Sequence, residues 1–166
     1  TGTTYLQDRL MRNAQTLGAH GITFPSRNRL TPADLFHFRA ALDLLGQDWG
    51  GTPGHAAGAW DTMVKRVRRA PGTAIISHEI LAPAKPDKII KVMNDLRDSE
   101  VHIVYSARDM ARQLPAAWQE SIKQGRKWSF QRFLNKVERG QTWMRSAMDL
   151  PQVLNNWSSR LAPERV

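Results

Sequence analysis

Cysteine is absent from the 166 residues. That excludes disulfides, thiol nucleophiles and cysteine-ligated metals, and it fits a cytoplasmic protein. No apolar run approaches the roughly 20 residues of a membrane-spanning helix, so no membrane span is expected. Internal repeats, low-complexity tracts and a second domain are not visible either. Acidic residues are in deficit: fifteen Asp and Glu face twenty-four Lys and Arg, for a net charge of +9. Such a balance favours an anionic partner. The cations are dispersed, in Lys65-Arg66-Val67-Arg68-Arg69, in 123–127 and singly elsewhere. Charge alone therefore suits a polyanionic small molecule as well as a nucleic acid. The missing motifs weigh against nucleic acid, because no helix-turn-helix, aromatic RNA motif or zinc spacing is present.

What is present has globular composition, 41% hydrophobic and 23% charged. One domain spanning 1–166 is expected, since this length can bury one core. Leu6, Leu10, Ala14 and Leu17 recur at helical spacing over 3–18, and Gly18 and Gly21 stop the run. Gly21-Ile22-Thr23-Phe24-Pro25 reads as a brief extended piece. Thr31-Pro32-Ala33-Asp34 opens a helix, with a cap, a first-turn proline and an acid near the positive end. Leu35, Phe38, Leu42 and Leu45 mark one face of it. Residues 47–58, with four glycines and a proline, read as a loop, and Trp60, Val64 and Val67 give the next helix.

Thr73-Ala74-Ile75-Ile76-Ser77 and Val101-His102-Ile103-Val104-Tyr105 are short, β-branched and apolar, as strands covered on both faces should be. Helices opening at Pro86 and near Met110 separate and follow them. Shorter helices are predicted from Ser129 and near Trp143, with Pro151 interrupting the last. Strand–helix alternation predicts an α/β fold, a three-layer parallel sheet with helices on both faces.

In such sheets ligands sit beyond the carboxyl ends of the strands. Three groups are expected to meet there. Thr1-Gly2-Thr3-Thr4 opens a helix, whose first-turn N–H groups and positive dipole end can cradle an anion, with threonine hydroxyls as further donors. Ser77-His78-Glu79 closes one strand and offers an acid–base pair. Ser106-Ala107-Arg108-Asp109 closes the other and offers an arginine. Each also has a bland role: a helix cap, a rim histidine, a surface acid, an arginine paired with Asp109.

Thr1-Gly2-Thr3-Thr4-Tyr5-Leu6-Gln7 resembles the end of the Pro-Lys-(Thr/Ser)-Gly-Thr-Thr loop of sulfotransferases that use 3′-phosphoadenosine 5′-phosphosulfate. Val104-Tyr105-Ser106-Ala107-Arg108-Asp109 resembles the start of their 3′-phosphate motif. Ala111-Arg112-Gln113-Leu114-Pro115-Ala116-Ala117-Trp118-Gln119-Glu120 and Ser129-Phe130-Gln131-Arg132-Phe133-Leu134 are similar to helices of bacterial members, so the likeness spans about 1–135. The resemblance implies a phosphate-loop fold in which Thr1, Gly2, Thr3, Thr4 and Tyr5 hold the 5′-phosphosulfate and Arg108 the 3′-phosphate. The loop lysine would precede Thr1, and Ala116 stands where a serine would meet the 3′-phosphate. The chain is accordingly expected to be a fragment lacking the first strand and loop lysine, incomplete at both ends and without turnover of its own.

The chemistry implied is sulfuryl transfer to a hydroxyl or amine, on a small-molecule, glycan or lipid acceptor, without a metal. It needs a base near the acceptor. His78 titrates near neutrality unaided, whereas Glu79 resembles the glutamate that some sulfotransferases place at this strand end. On a strand the two would face opposite sides. Other phosphate-loop proteins, kinase-like, and a non-catalytic basic binding module are the competing expectations.

Overall fold

A computed structural model describes residues 2–26 and 32–166. Thr1 of the expected anion cradle and Thr31 of the expected helix cap lie outside the described residues. The chain forms two compact units, Gly2–His102 and Ile103–Val166.

The first unit runs α1 (Thr3–Arg12), α2 (Ala14–Ala19), β1 (Ile22–Thr23), α3 (Ala33–Leu45), α4 (Ala59–Arg68), β2 (Thr73–Ala74), a 3-10 turn (Glu79–Leu81) and α5 (Pro86–Asp95). β1 and β2 pair in parallel, Ile22 opposite Thr73 and Thr23 opposite Ala74. Position 72 must be glycine at this crossing, because a Cβ there would run into the Gly21 carbonyl oxygen. α3 carries the unit's centre. Ala41 and Leu42 pack with Ala56 and Ile80, flanked by Phe38, Leu45 and Leu81. A second cluster joins Leu10, Phe24 and Ala33 to Met11, Leu17 and Ile75. α5 buries Ile89 and Val92, and Leu96 at its C-cap is buried with them.

Trp60, buried at the start of α4, fastens three helices. Its backbone N–H donates to Asp43 Oδ2 at 2.9 Å, so α3 supplies a cap that Gly58 cannot. Its indole N–H donates to Asp95 Oδ2 at 2.7 Å, and Lys91 Nζ donates to the same oxygen at 2.8 Å. Burial alone would raise the Asp95 pKa, but the Lys91 and Trp60 bonds outweigh it and hold it below the usual value. Trp60→Phe keeps the aromatic bulk and removes one of these donors. Urea unfolding is expected to show a loss of about 1–2 kcal/mol, and an unchanged midpoint would show that the indole bond contributes nothing.

The second unit is helical: α6 (Met110–Lys123), α7 (Phe130–Glu138), α8 (Trp143–Met148), α9 (Leu150–Ser158) and a 3-10 turn (Pro163–Arg165). Asp109 caps α6 by accepting from Arg112 N–H at 3.0 Å, and Ser129 caps α7. Asp149 caps α9, with Pro151 in its first turn, so this proline opens the last helix rather than interrupting one. Ala117, Phe133, Val137 and Met144 form the core, with Leu114, Trp118, Trp128, Leu134 and Met148 against them.

The three-layer parallel sheet expected from the sequence does not form. The chain is mostly helical, and its sheet among the described residues has two strands. Of 73–77, only Thr73 and Ala74 are strand, because after the bond from Ile75 N–H to Thr23 O the chain leaves its partner. The 101–105 segment pairs with no strand among the described residues. Its Ile103 N–H donates to Arg165 O at 2.7 Å, and Val104 is 91% exposed rather than covered on both faces. β-branched runs supply strand propensity, but a strand exists only where a neighbour completes its ladder. No helix among the described residues is long and apolar enough to cross a membrane.

Candidate functional site

At the start of α1, Gly2 occupies the left-handed region, φ 82° and ψ 2°, and no side chain caps the helix. A residue with a Cβ is strained there, which explains glycine at this position. Thr3 and Thr4 form the first turn. Tyr5 is exposed, with the Arg9 guanidinium 5.4 Å from its ring centre. Arg12 and Arg9 both donate to Asp8, at 2.8 and 2.6 Å, and hold its carboxyl below the usual range. The two arginines of α1 thus already have a counter-charge.

One turn along, Gln7 is buried and its Nε2 donates to Ser77 O at 2.8 Å. The same residue is held from its other side, since Ser77 N–H donates to His37 Nδ1 at 3.1 Å. His37 is 1% exposed and stacks on Phe24, with ring centres 4.1 Å apart. Its Nδ1 accepts, so its Nε2 carries the proton and donates to Pro25 O at 2.9 Å. Burial pushes the His37 pKa down to about 4, the Pro25 bond opposing only in part, so the ring is neutral at pH 7.

His78 and Glu79 ride on the residue so clamped. The strand has ended by His78, and Glu79 starts the 3-10 turn, so the alternation that would have put them on opposite faces does not apply. His78 Nδ1 lies 3.7 Å from Glu79 Oε2 and accepts from Ile80 N–H at 3.4 Å. The imidazole stacks on Phe38 at 5.0 Å. Burial lowers the His78 pKa, against the opposing fields of Glu79 and Asp34. A neutral imidazole has one acceptor nitrogen, and here Ile80 N–H occupies it; its Nε2–H can only donate. Glu79, with its side chain 41% exposed, is the member of the pair whose carboxylate oxygens are open to solvent.

Of the three groups expected together, the α1 turn and Ser77-His78-Glu79 share the first unit and are joined through Gln7. Arg108 belongs to the second unit, where it is exposed and has no ion-pair partner among the described residues; Asp109 pairs with Arg112 at 3.7 Å. Ala116 is half-buried within α6.

Sequence reasoning missed three residues of this site. Gln7 closes the Thr1–Gln7 likeness but had no role read for it, being one polar residue on an amphipathic helix. His37 sits beside Phe36 and Phe38 on α3, and a histidine among buried aromatics needs a defined partner for each ring nitrogen. Trp49 was hidden in the glycine-rich loop; its φ of 44° is unusual for a bulky residue, and its ring meets Phe38 edge-on at 6.0 Å. Trp49, Phe38 and His78 thereby form an aromatic row leading to Glu79. Among the described residues, no three His, Asp or Glu side chains are grouped to hold a metal ion. No family model, curated protein or solved structure matches the chain.

Proposed function

We propose that this chain acts in sulfuryl transfer from 3′-phosphoadenosine 5′-phosphosulfate to an acceptor hydroxyl or amine. The α1 turn of Gly2, Thr3 and Thr4 takes the phosphosulfate, and Glu79 takes the acceptor's proton. The observation that carries this reading is the 2.8 Å bond from Gln7 to Ser77, which ties the helix of the anion cradle to the residue preceding His78 and Glu79. In the step proposed, the acceptor oxygen or nitrogen attacks sulfur as the sulfur–oxygen bond to the phosphate breaks. The proton passes to Glu79, and 3′-phosphoadenosine 5′-phosphate leaves. The charge growing on the leaving phosphate faces the positive end of α1, where fixed N–H groups stabilise it without reorganising. The Trp49–Phe38–His78 row offers an apolar wall for the acceptor.

Gly2→Val tests the cradle without touching the base. Nothing lies within 4 Å of a Cβ built at Gly2, so its effect is on backbone conformation alone. Forcing a β-branched residue into the left-handed region costs about 1–2 kcal/mol. Calorimetric titration with 3′-phosphoadenosine 5′-phosphate is expected to show about tenfold weaker binding. Unchanged affinity would remove the turn from the donor site.

A further inference from the structure

The second unit carries a charge asymmetry that sulfuryl transfer does not use. Eleven Lys and Arg face five Asp and Glu within Ile103–Val166, so this unit holds +6 of the chain's +9. Its positive charge is concentrated. Arg132, Lys136 and Arg139 follow at i, i+4 and i+7 on one face of α7 and its last turn, spanning about 10 Å along the axis. Arg126 and Lys127 of the preceding loop add two more. None of the five has a carboxylate partner among the described residues, whereas Lys123 pairs with Glu120 and Arg112 with Asp109. Two of the five converge on one ring: Arg126 Cζ lies 5.4 Å and Lys136 Nζ 5.1 Å from the Trp128 centre. Holding like charges together is unfavourable unless an anion neutralises them.

We propose that Arg126, Lys127, Arg132, Lys136 and Arg139 form a docking face for nucleic acid, gripped through its phosphates. The row of cations calls for a chain of successive charges rather than one compact anion. Trp128 lies under two cations and is not offered for base stacking, so contact is to the backbone and independent of sequence. No base-reading motif is needed for this, which is why sequence patterns alone argued against nucleic acid. An anionic membrane fits less well: Phe133 and Val137 of α7 are 0% and 6% exposed, and Phe130, 37% exposed, lies on the side of α7 away from the cations and packs against Trp118. The proposal stands on the charge of this unit and is independent of the sulfuryl-transfer reading.

The test is fluorescence anisotropy of a labelled oligothymidine across a salt series. Five phosphate contacts predict a slope of log affinity against log salt near −3.5, from about −0.7 per phosphate on a single strand. Arg132→Gln with Lys136→Gln and Arg139→Gln should weaken binding at least tenfold at low salt and flatten the slope by about 2. Arg132→Gln alone, at an exposed position, should flatten it by about 0.7. A control with the same charge loss in the first unit, Lys65→Gln, Arg69→Gln and Lys85→Gln, should leave the slope nearly unchanged. Equal losses in both triple variants would mean that net charge alone acts, and would overturn the docking face. Absence of oligothymidine binding at low salt would overturn it as well. So would vesicles rich in phosphatidylserine binding more tightly than the oligonucleotide with the same dependence on the α7 residues.

Discussion

Glu79→Gln is expected to lower sulfuryl transfer roughly 10²- to 10⁴-fold while donor affinity stays nearly unchanged. Glutamine keeps the size and hydrogen-bonding reach of the side chain and removes the proton acceptor. The assay is release of 3′-phosphoadenosine 5′-phosphate in the presence of an acceptor, in protein that supports turnover. His78→Asn should do less. The His78 Nδ1 lone pair is engaged by Ile80 N–H at 3.4 Å, and burial keeps the ring neutral, so it serves the turn rather than the acceptor. A larger fall for His78→Asn would move the base to His78. Full activity in both variants would exclude each of them as the base.

Acid is expected to remove about 2–3 kcal/mol of stability between pH 7.5 and 4.5, chiefly through His37. Its pKa is about 4 in the folded chain, against 6.5 for a free histidine. The unfolded chain therefore binds more protons in that window, and stability falls as pH drops through it. The gap of about 2.5 units corresponds to roughly 3 kcal/mol at 1.36 kcal/mol per unit. A proton on Nδ1 would also break the bond from Ser77 N–H and place a charge in a nearly dry site. Two charges bear on it, Asp34 favouring protonation and His78 opposing it. His78, lowered in the same direction, adds to the acid sensitivity. Asp8 and Asp95 are held below the usual carboxylate range, so their losses come at lower pH and leave this window to the histidines. Urea unfolding at the two pH values measures the drop, and His37→Gln should remove the larger part of it. Equal stability at both pH values, or an undiminished drop in His37→Gln, would contradict the assignment.

Most helices were legible in the sequence because their signals are local, although 3–18 divides into α1 and α2 and Pro151 opens α9 instead of interrupting a helix. Pro86 at the start of α5, Asp109 before α6, Ser129 before α7 and Gly46 after α3 act within a turn of themselves. The sheet was not legible, because pairing depends on residues far away in the chain. Thr73–Ala74 found β1, whereas 101–105, with as many β-branched residues as 73–77, found no strand among the described residues. Of the site, the residue types at Gly2, Thr3, Thr4, His78 and Glu79 were readable, but their arrangement was not. It depends on Gln7 and His37 reaching Ser77 across 70 and 40 residues of chain, and no local pattern announces such contacts. The basic face of α7 was partly visible as the 123–127 cluster. Its continuation to Arg132, Lys136 and Arg139 emerges only when helical phase is taken together with the lack of ion pairs for these three among the described residues, Glu138 beside them included.

The most direct measurement on the donor site is an amide NMR titration with 3′-phosphoadenosine 5′-phosphate. If the α1 turn takes the donor, the amides of Gly2, Thr3, Thr4 and Tyr5 shift with one dissociation constant. Those of Ser77, His78 and Glu79 follow at the same constant, because Gln7 couples the helix to Ser77. If the 2–5 amides stay fixed while only those of 126–139 move, the nucleotide is just another anion on the basic face, and sulfuryl donor binding at α1 is wrong.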